Sequence, residues 1–355
     1  MEIGSEFSLN FIDLSIKKNN IFKYLSDYDA VYFNYARCAI GYLSDNLLDD
    51  NNYVFLPSYI CESVVEAFKS KKIVFYQLNN DFSINIEDLK KKLELYKCSI
   101  IYLMNYWGQD NNKSIYQELT DLKIKYEFYL VEDTTHSIFT NVGVIADFYV
   151  CSLRKWMPIP DGAVLYYKND LLKMRHLEKS STSYKIYGMS LKKMYLDNNI
   201  EVFNQEYRKI FKVSEDNIEF NCKCLISDLS RFIMMCIDID ELVKKRINNF
   251  RYLLDKFHDI GIDNYIKYCI NKNINEFCPF TLPIMVKNRD KFREYLINKK
   301  IYCAVHWPIS IEQQRIYKNV QYISQHIISL PIDQRYSAVH MDFIAEKISL
   351  YYGEL

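Results

Sequence analysis

The sequence predicts an α/β protein with a mostly parallel central sheet, helices on both faces, and a smaller C-terminal α+β domain. Three observations carry that expectation. Short apolar runs alternate with segments of helical spacing over the first two-thirds of the chain. A long helical pattern follows near residue 226, and the remainder returns to shorter strands and helices. At 355 residues the chain is also long for a single compact core.

The elements can be taken in order. "YVFLP" (53–57), "KIVFYQL" (72–78), "SIIYLMNY" (99–106) and "FYLVED" (128–133) read as buried strands. Between them "ESVVEAFKSK", "NIEDLKKKLELY" and "KSIYQELTDLKIKY" have helical spacing, and Asn85 is placed to cap the second. Repeated βα units imply parallel strands joined by helical crossovers. The rhythm then changes. "ADFYVCSL" and "GAVLYYK" are joined by a loop holding Pro158, Pro160 and Asp161-Gly162, a hairpin or tight crossover that brings in an antiparallel strand. Residues 170–219 are polar, rich in Lys and Tyr, and helical or irregular. The stretch 226–257 reads as one long helix leading into a second domain. The expected division is 1–235 for the large domain and 236–355 for the small one.

Composition narrows the function. Hydrophobic residues make up 49% and charged ones 25%, as in ordinary globular proteins. Lys+Arg and Asp+Glu balance at 45 each, which argues against nucleic acid or an anionic membrane surface as the main partner. No apolar stretch is long enough to span a bilayer. The start, "MEIGSEFSLNFIDL", lacks the basic-then-apolar order of a secretory signal. Of ten cysteines, Cys61, Cys98, Cys151 and Cys303 lie in apolar runs, where a thiol acts as a small hydrophobe. A cytoplasmic, reduced protein is expected. Cys222 and Cys224 form a lone Cys-x-Cys without further ligands at recognisable spacing, so no metal site is expected.

Three short stretches carry chemistry. In open α/β sheets ligands gather beyond the carboxyl ends of the parallel strands. "YLVEDTTHS" ends a strand there with Glu132, Asp133 and His136; a helix-capping aspartate and a structural histidine are the alternatives. "CSLRKWMPIPDGAVLYY" seats Lys155 where a strand stops and a turn-rich loop begins. Lys155 is either a solvated loop charge or a reactive amine, since partial burial disfavours an ammonium ion and frees the amine for Schiff-base chemistry. Ser152, three residues earlier, offers a hydroxyl to a phosphate. "FNYARCAIGYL" starts a helix near Ala36, and the N–H groups of Ala36, Arg37 and Cys38 could hold an anion; a helix start with no ligand is the alternative. Together they suit pyridoxal 5'-phosphate: phosphate on the helix start and Ser152, ring nitrogen facing Asp133, aldehyde carbon on Lys155.

The chain resembles the DegT/StrS-type aminotransferases, fold-type I pyridoxal-phosphate enzymes acting mostly on nucleotide-linked ketosugars. The resemblance runs through "YARCAI", "VFLPSYICESVVEAF", "IIYLMNYWGQ", "VEDTTHS", "SLRKWMPIPDGAVLY", "IYCAVHWPI" and "SLPI", in that order. It implies that Lys155 is the Schiff-base lysine and Asp133 the partner of the pyridinium nitrogen. It implies further that His136 lies near the phenolic oxygen and Ser152, Ala36 and Arg37 hold the phosphate. Tyr59 or Cys61 would lie against the ring face, Asn221 would reach a neighbouring subunit's phosphate, and His306 and Trp307 would border the substrate. A homodimer with its site at the subunit interface is implied as well. Two features mark a divergent branch: one glycine follows the lysine where relatives carry several, and the chain is slightly short.

The resemblance implies amino transfer from an amino acid, L-glutamate, to a keto group of a nucleotide-linked deoxysugar in surface polysaccharide biosynthesis. A smaller phosphorylated ketone is the alternative acceptor. A non-catalytic regulator or scaffold is the alternative of another class.

Overall fold

The computed structural model describes residues 1–9, 13–140, 146–168, 172, 177–180, 182–216, 224–272, 277–309 and 317–353. Its strands are β1 (Ile3–Gly4), β2 (Asp29–Phe33), β3 (Tyr53–Pro57), β4 (Lys72–Tyr76), β5 (Cys98–Met104), β6 (Tyr129–Asp133), β7 (Phe148–Cys151), β8 (Ala163–Tyr167), β9 (Lys267–Tyr268), β10 (Leu282–Met285), β11 (Ile301–Tyr302) and β12 (Ile327–Leu330). Seven of them form one sheet in the order β2-β8-β7-β6-β5-β3-β4. Strands β7, β6, β5, β3 and β4 pair in parallel, while β8 runs antiparallel to both β7 and β2. The expected antiparallel strand is therefore there, beside the lysine loop.

Both faces of the central strands are covered, which explains their nearly unbroken apolar runs. Alternate residues serve opposite layers. Val54, Leu56, Ile100 and Val131 pack beneath the helix Ala36–Leu47. Phe55, Ile101, Leu103 and Leu130 face the other way, into a core continuous with Leu253, Leu282 and Ile328. Each such side chain stabilises the fold by about 1.5–3 kcal/mol through burial.

Several boundaries differ from the sequence pattern. Strand β4 stops at Tyr76 because the Gln77 N–H turns to the Asp88 carboxylate at 2.7 Å, leaving the ladder. The stretch 226–257 is two helices, Asp228–Met235 and Ile239–Asp259. Asp238 caps the second by accepting the Glu241 N–H at 3.0 Å. Apolar spacing continues across the break, so periodicity alone merges the two. Asn85 caps its helix as expected, accepting the Asp88 N–H at 3.0 Å.

The C-terminal part adds a three-stranded antiparallel sheet, β12-β10-β9. The chain's start joins it: β1 pairs in parallel with β11, and the Gly4 N–H bonds to the Tyr336 hydroxyl at 2.7 Å. No described helix is long and apolar enough to cross a membrane.

Candidate active site

The site forms where β6 and β7 end. The Thr134 N–H bonds to Val150 O at 2.8 Å, and Thr135 Oγ1 accepts the Ser152 N–H at 3.1 Å, so the two strand ends are tied together. Asp133 points to one side of β6 with both oxygens occupied. Its Oδ2 accepts the Tyr102 hydroxyl at 3.0 Å and its Oδ1 the Thr135 N–H at 2.9 Å. Strand alternation sends Glu132 to the other side, where it is fully buried. Glu132 Oε1 accepts from Asn105 at 2.9 Å, Oε2 has no partner, and burial lifts the carboxyl to about 8.

Lys155 closes the short turn Leu153–Lys155 directly after β7. Three anchors fix that loop. The Trp156 indole N–H bonds to Thr135 O at 2.8 Å. Asp161 is buried, accepting the Ser227 N–H at 3.0 Å and the Ser227 and Ser230 hydroxyls at 2.7 and 2.5 Å. Gly162, with φ +144, takes a backbone shape other residues rarely adopt, and a Cβ there would meet Ile159 at 2.6 Å.

Most of the residues expected from sequence converge. Ala36, Arg37, Cys61, Asp133, Ser152 and Lys155 line one small chamber. The Ala36–Leu47 helix begins there, as expected. The Cys38 N–H is not offered to it, because it bonds to Tyr35 O at 3.1 Å. Tyr59 does not line the chamber. It is buried behind it, its ring 5.6 Å from that of Trp307, so of the two candidates for the ring face only Cys61 reaches the chamber. Trp307, expected on the substrate side, itself lines the chamber. Asn221 and Cys222 lie outside the described residues.

His136 is enclosed rather than open to the chamber. Its ring stacks on Phe280 at 4.2 Å and on Trp307 at 5.4 Å, and its Nδ1 accepts the Trp107 N–H at 3.4 Å. Its Nε2 is buried without a partner. Burial, His306 and Lys155 together hold the imidazole neutral, well below its usual pKa. The Trp107 turn that meets it depends on Gly108 (φ +98), where a Cβ would lie 2.0 Å from Cys278 O.

A larger cavity of about 640 Å³ opens on the other side of Lys155, which lines both spaces. His306 lines this cavity. Its Nδ1 is 2.8 Å from Ser329 Oγ, and burial and Lys155 depress its pKa to about 3. Much of the wall is cationic. Arg154 makes a bidentate pair with Glu215 at 2.7 and 3.1 Å, and Lys185 bonds to Glu215 and Glu6. Burial opposes the Glu215 charge, but Arg154 and Lys185 hold its pKa down at about 2. Arg335 is paired with Asp333 at 2.7 Å. Arg246 and Arg293 also line the cavity and have no carboxylate partner among the described residues.

Sequence reading missed Tyr102, Thr135, the Arg154–Glu215 pair and Arg246. Tyr102 left a signal, since a phenol inside a buried apolar strand needs a hydrogen-bond partner. Thr135 sits within the quoted "VEDTTHS". Glu215 and Arg246 left none, because helices distant in sequence bring them to the cavity. The donor set fits pyridoxal phosphate: an amine on Lys155, a doubly hydrogen-bonded acceptor in Asp133, and Ser152 beside a helix start.

Comparison with known proteins follows the same line. The chain matches the DegT/DnrJ/EryC1/StrS aminotransferase family over residues 63–349. No curated protein matches it in sequence. Among solved structures it is similar to a DegT DnrJ EryC1 StrS aminotransferase from Brucella abortus, with 15% identity, 98% of this chain and 92% of that one covered, and a TM-score of 0.64. It is similar to a putative sugar aminotransferase from Streptococcus pneumoniae in its PLP-form, with 13% identity, 99% and 93% coverage, and a TM-score of 0.64. NtdA from Bacillus subtilis with bound cofactor PMP shows 14% identity, 92% and 74% coverage, and a TM-score of 0.64. At these identities the likeness is one of fold. The family match covers most of the chain, including Asp133, Lys155 and the small-domain loop, and bears out the expected fold and enzyme class: this chain belongs to the DegT/DnrJ/EryC1/StrS aminotransferase family.

Proposed function

We propose that the chain moves an amino group from L-glutamate to the keto group of a nucleotide-linked deoxysugar, with pyridoxal phosphate held on Lys155, in the synthesis of a surface polysaccharide. One observation supports this reading above the others: Lys155 stands between the small chamber with Asp133 and Ser152 and the large cationic cavity. That arrangement suits a cofactor in the small chamber and an anionic acceptor in the cationic cavity, with one amine bordering both.

Pyridoxal phosphate supplies an aldehyde that condenses with amines and a ring that withdraws electrons from the carbon next to nitrogen. The chain's residues do the rest. Ser152 and the helix start at Ala36 and Arg37 hold the phosphate. Asp133, oriented by Tyr102 and Thr135, accepts from the ring nitrogen. Lys155 Nζ is held by a loop anchored at Trp156 and Asp161. It would move a proton from the donor carbon to the cofactor carbon in the first half of the cycle and from the cofactor carbon to the acceptor carbon in the second. Arginines on the cavity wall suit the phosphates of the acceptor. Nine free cysteines among the described residues suit a reducing, cytoplasmic setting. A homodimer is part of the proposal, with Tyr184, Tyr187 and Val202 as exposed apolar residues for the contact.

The deciding experiment is the absorption spectrum of the protein with added cofactor, for wild type and Lys155→Ala. A visible band that glutamate bleaches in the wild type, and that Lys155→Ala never forms, supports the proposal. No band in the wild type leaves a scaffold with an aminotransferase fold.

A further inference from the structure

Arg246, on the helix Ile239–Asp259, is 1% exposed, and its guanidinium lies 4.2 Å from the centre of the Trp156 ring. Its Nε donates to Gln334 Oε1 at 2.9 Å and its Nη1 to Phe280 O at 2.8 Å. Nη2 has no hydrogen-bond partner, and no carboxylate pairs with the side chain among the described residues. Asp333 contributes only at longer range, since Arg335 occupies both its oxygens at 2.7 and 2.8 Å. A buried cation without a counter-ion is costly, and neutral carbonyls repay only part of that cost.

A second observation stands beside it. Thr281 follows Phe280, lines the same cavity as Arg246 and Lys155, and has a buried Oγ1 with no partner. Two donors on one wall thus lack acceptors.

We propose that Arg246 and Thr281 form the carboxylate subsite of the amino donor. The inference rests on the reading that an amino acid is the donor. In an α-amino acid only one carbon separates the amine from the carboxylate, so the anion must be held close to Lys155. Trp156, which lies under the guanidinium, is the next residue after Lys155 and belongs to the same anchored loop. A phosphate of the acceptor lies many bonds from its keto carbon and suits the exposed Arg293 instead. An arginine fork matches a carboxylate with two parallel bonds, and a threonine hydroxyl adds a third donor.

The test uses glutarate, a dicarboxylate with neither amine nor ketone, titrated into the full-length protein and followed by calorimetry. Wild type is expected to bind it, with affinity falling as salt rises. Arg246→Gln should weaken it about ten-fold or more and Thr281→Val about three-fold. Because Arg246→Gln also loses its bonds to Gln334 and Phe280, Thr281→Val keeps the test valid if that variant fails to fold. Equal glutarate affinity in wild type and Thr281→Val, or no binding to wild type, overturns the inference. Methyl phosphate binding at least as tightly as glutarate, and lost in the same variants, assigns the pair to the acceptor and overturns it too. The visible cofactor band, recorded on the same samples, separates the two failures: without it the aminotransferase reading falls, and with it only the subsite does.

Discussion

His136 and His306 face each other with ring centres 5.2 Å apart beside Lys155, and both are held neutral by burial and by that positive charge. The consequence for acid stability has a definite sign. Below the ordinary value of 6.5 the unfolded chain protonates both histidines while the folded chain resists, so stability present above that pH is lost as pH falls. Glu132 acts in the opposite sense. Its folded pKa of about 8 against 4.5 means that the fold gains as pH falls through that window. His306→Gln removes one histidine from the balance and should flatten the acid slope between pH 6.5 and 4.5 by about 1.4 kcal/mol per pH unit at most. Urea unfolding at several pH values checks this; an unchanged slope refutes it. Tyr102→Phe removes one of the two bonds that orient Asp133, costing about 1 kcal/mol in stability. A fall in kcat with little change in donor KM should accompany it, measured in steady-state assays.

The lysine loop shows how an element is fixed from outside itself. Asp161 is fully buried and gathers three hydrogen bonds from Ser227 and Ser230, so the loop after Lys155 is bolted to the helix Asp228–Met235. Asp161→Ala leaves the Ser227 N–H without that acceptor and should cost about 1–3 kcal/mol. It should also weaken cofactor retention on Lys155, seen as faster loss of the visible band on dialysis. Asp238→Ala removes the cap between two helices and should cost about 1 kcal/mol in urea unfolding, with the band unchanged. The strands were legible because buried parallel strands leave apolar runs, and Lys155, Asp133 and Ser152 were legible because strand ends and turns punctuate the chain. The break at Asp238 was not, since apolar spacing runs through it. Nor was the exclusion of Tyr59: its distance from the chamber depends on which way one turn faces, and sequence spacing carries no such information.

On the scale of the whole molecule, the large cavity is closed by residues from the chain's beginning. Gly4, Ser5, Glu6 and Phe7 line it, β1 is paired with β11, and Glu6 is bonded to Lys185. Deleting residues 1–7 should lower the melting temperature and, if the proposed carboxylate subsite beside Trp156 and Phe280 serves the donor, impair the acceptor half-reaction more than the donor half-reaction. Single-turnover kinetics with each substrate separates the two; equal losses would contradict it.

The pairing of Ile3 with Ile301 also bears on synthesis of the protein. Ribosomes add about 5–20 residues per second, so the segment at the start waits roughly 15–60 s for its partner strand to be made. Through that interval the wall is missing and the apolar side chain of Ile3 has no sheet to join. Until residue 301 is made the nascent chain therefore carries an exposed hook at Ile3, and a chaperone or an early mispairing has its best opportunity there. Slow translation should raise aggregation of the full-length chain more than that of a variant lacking residues 1–7.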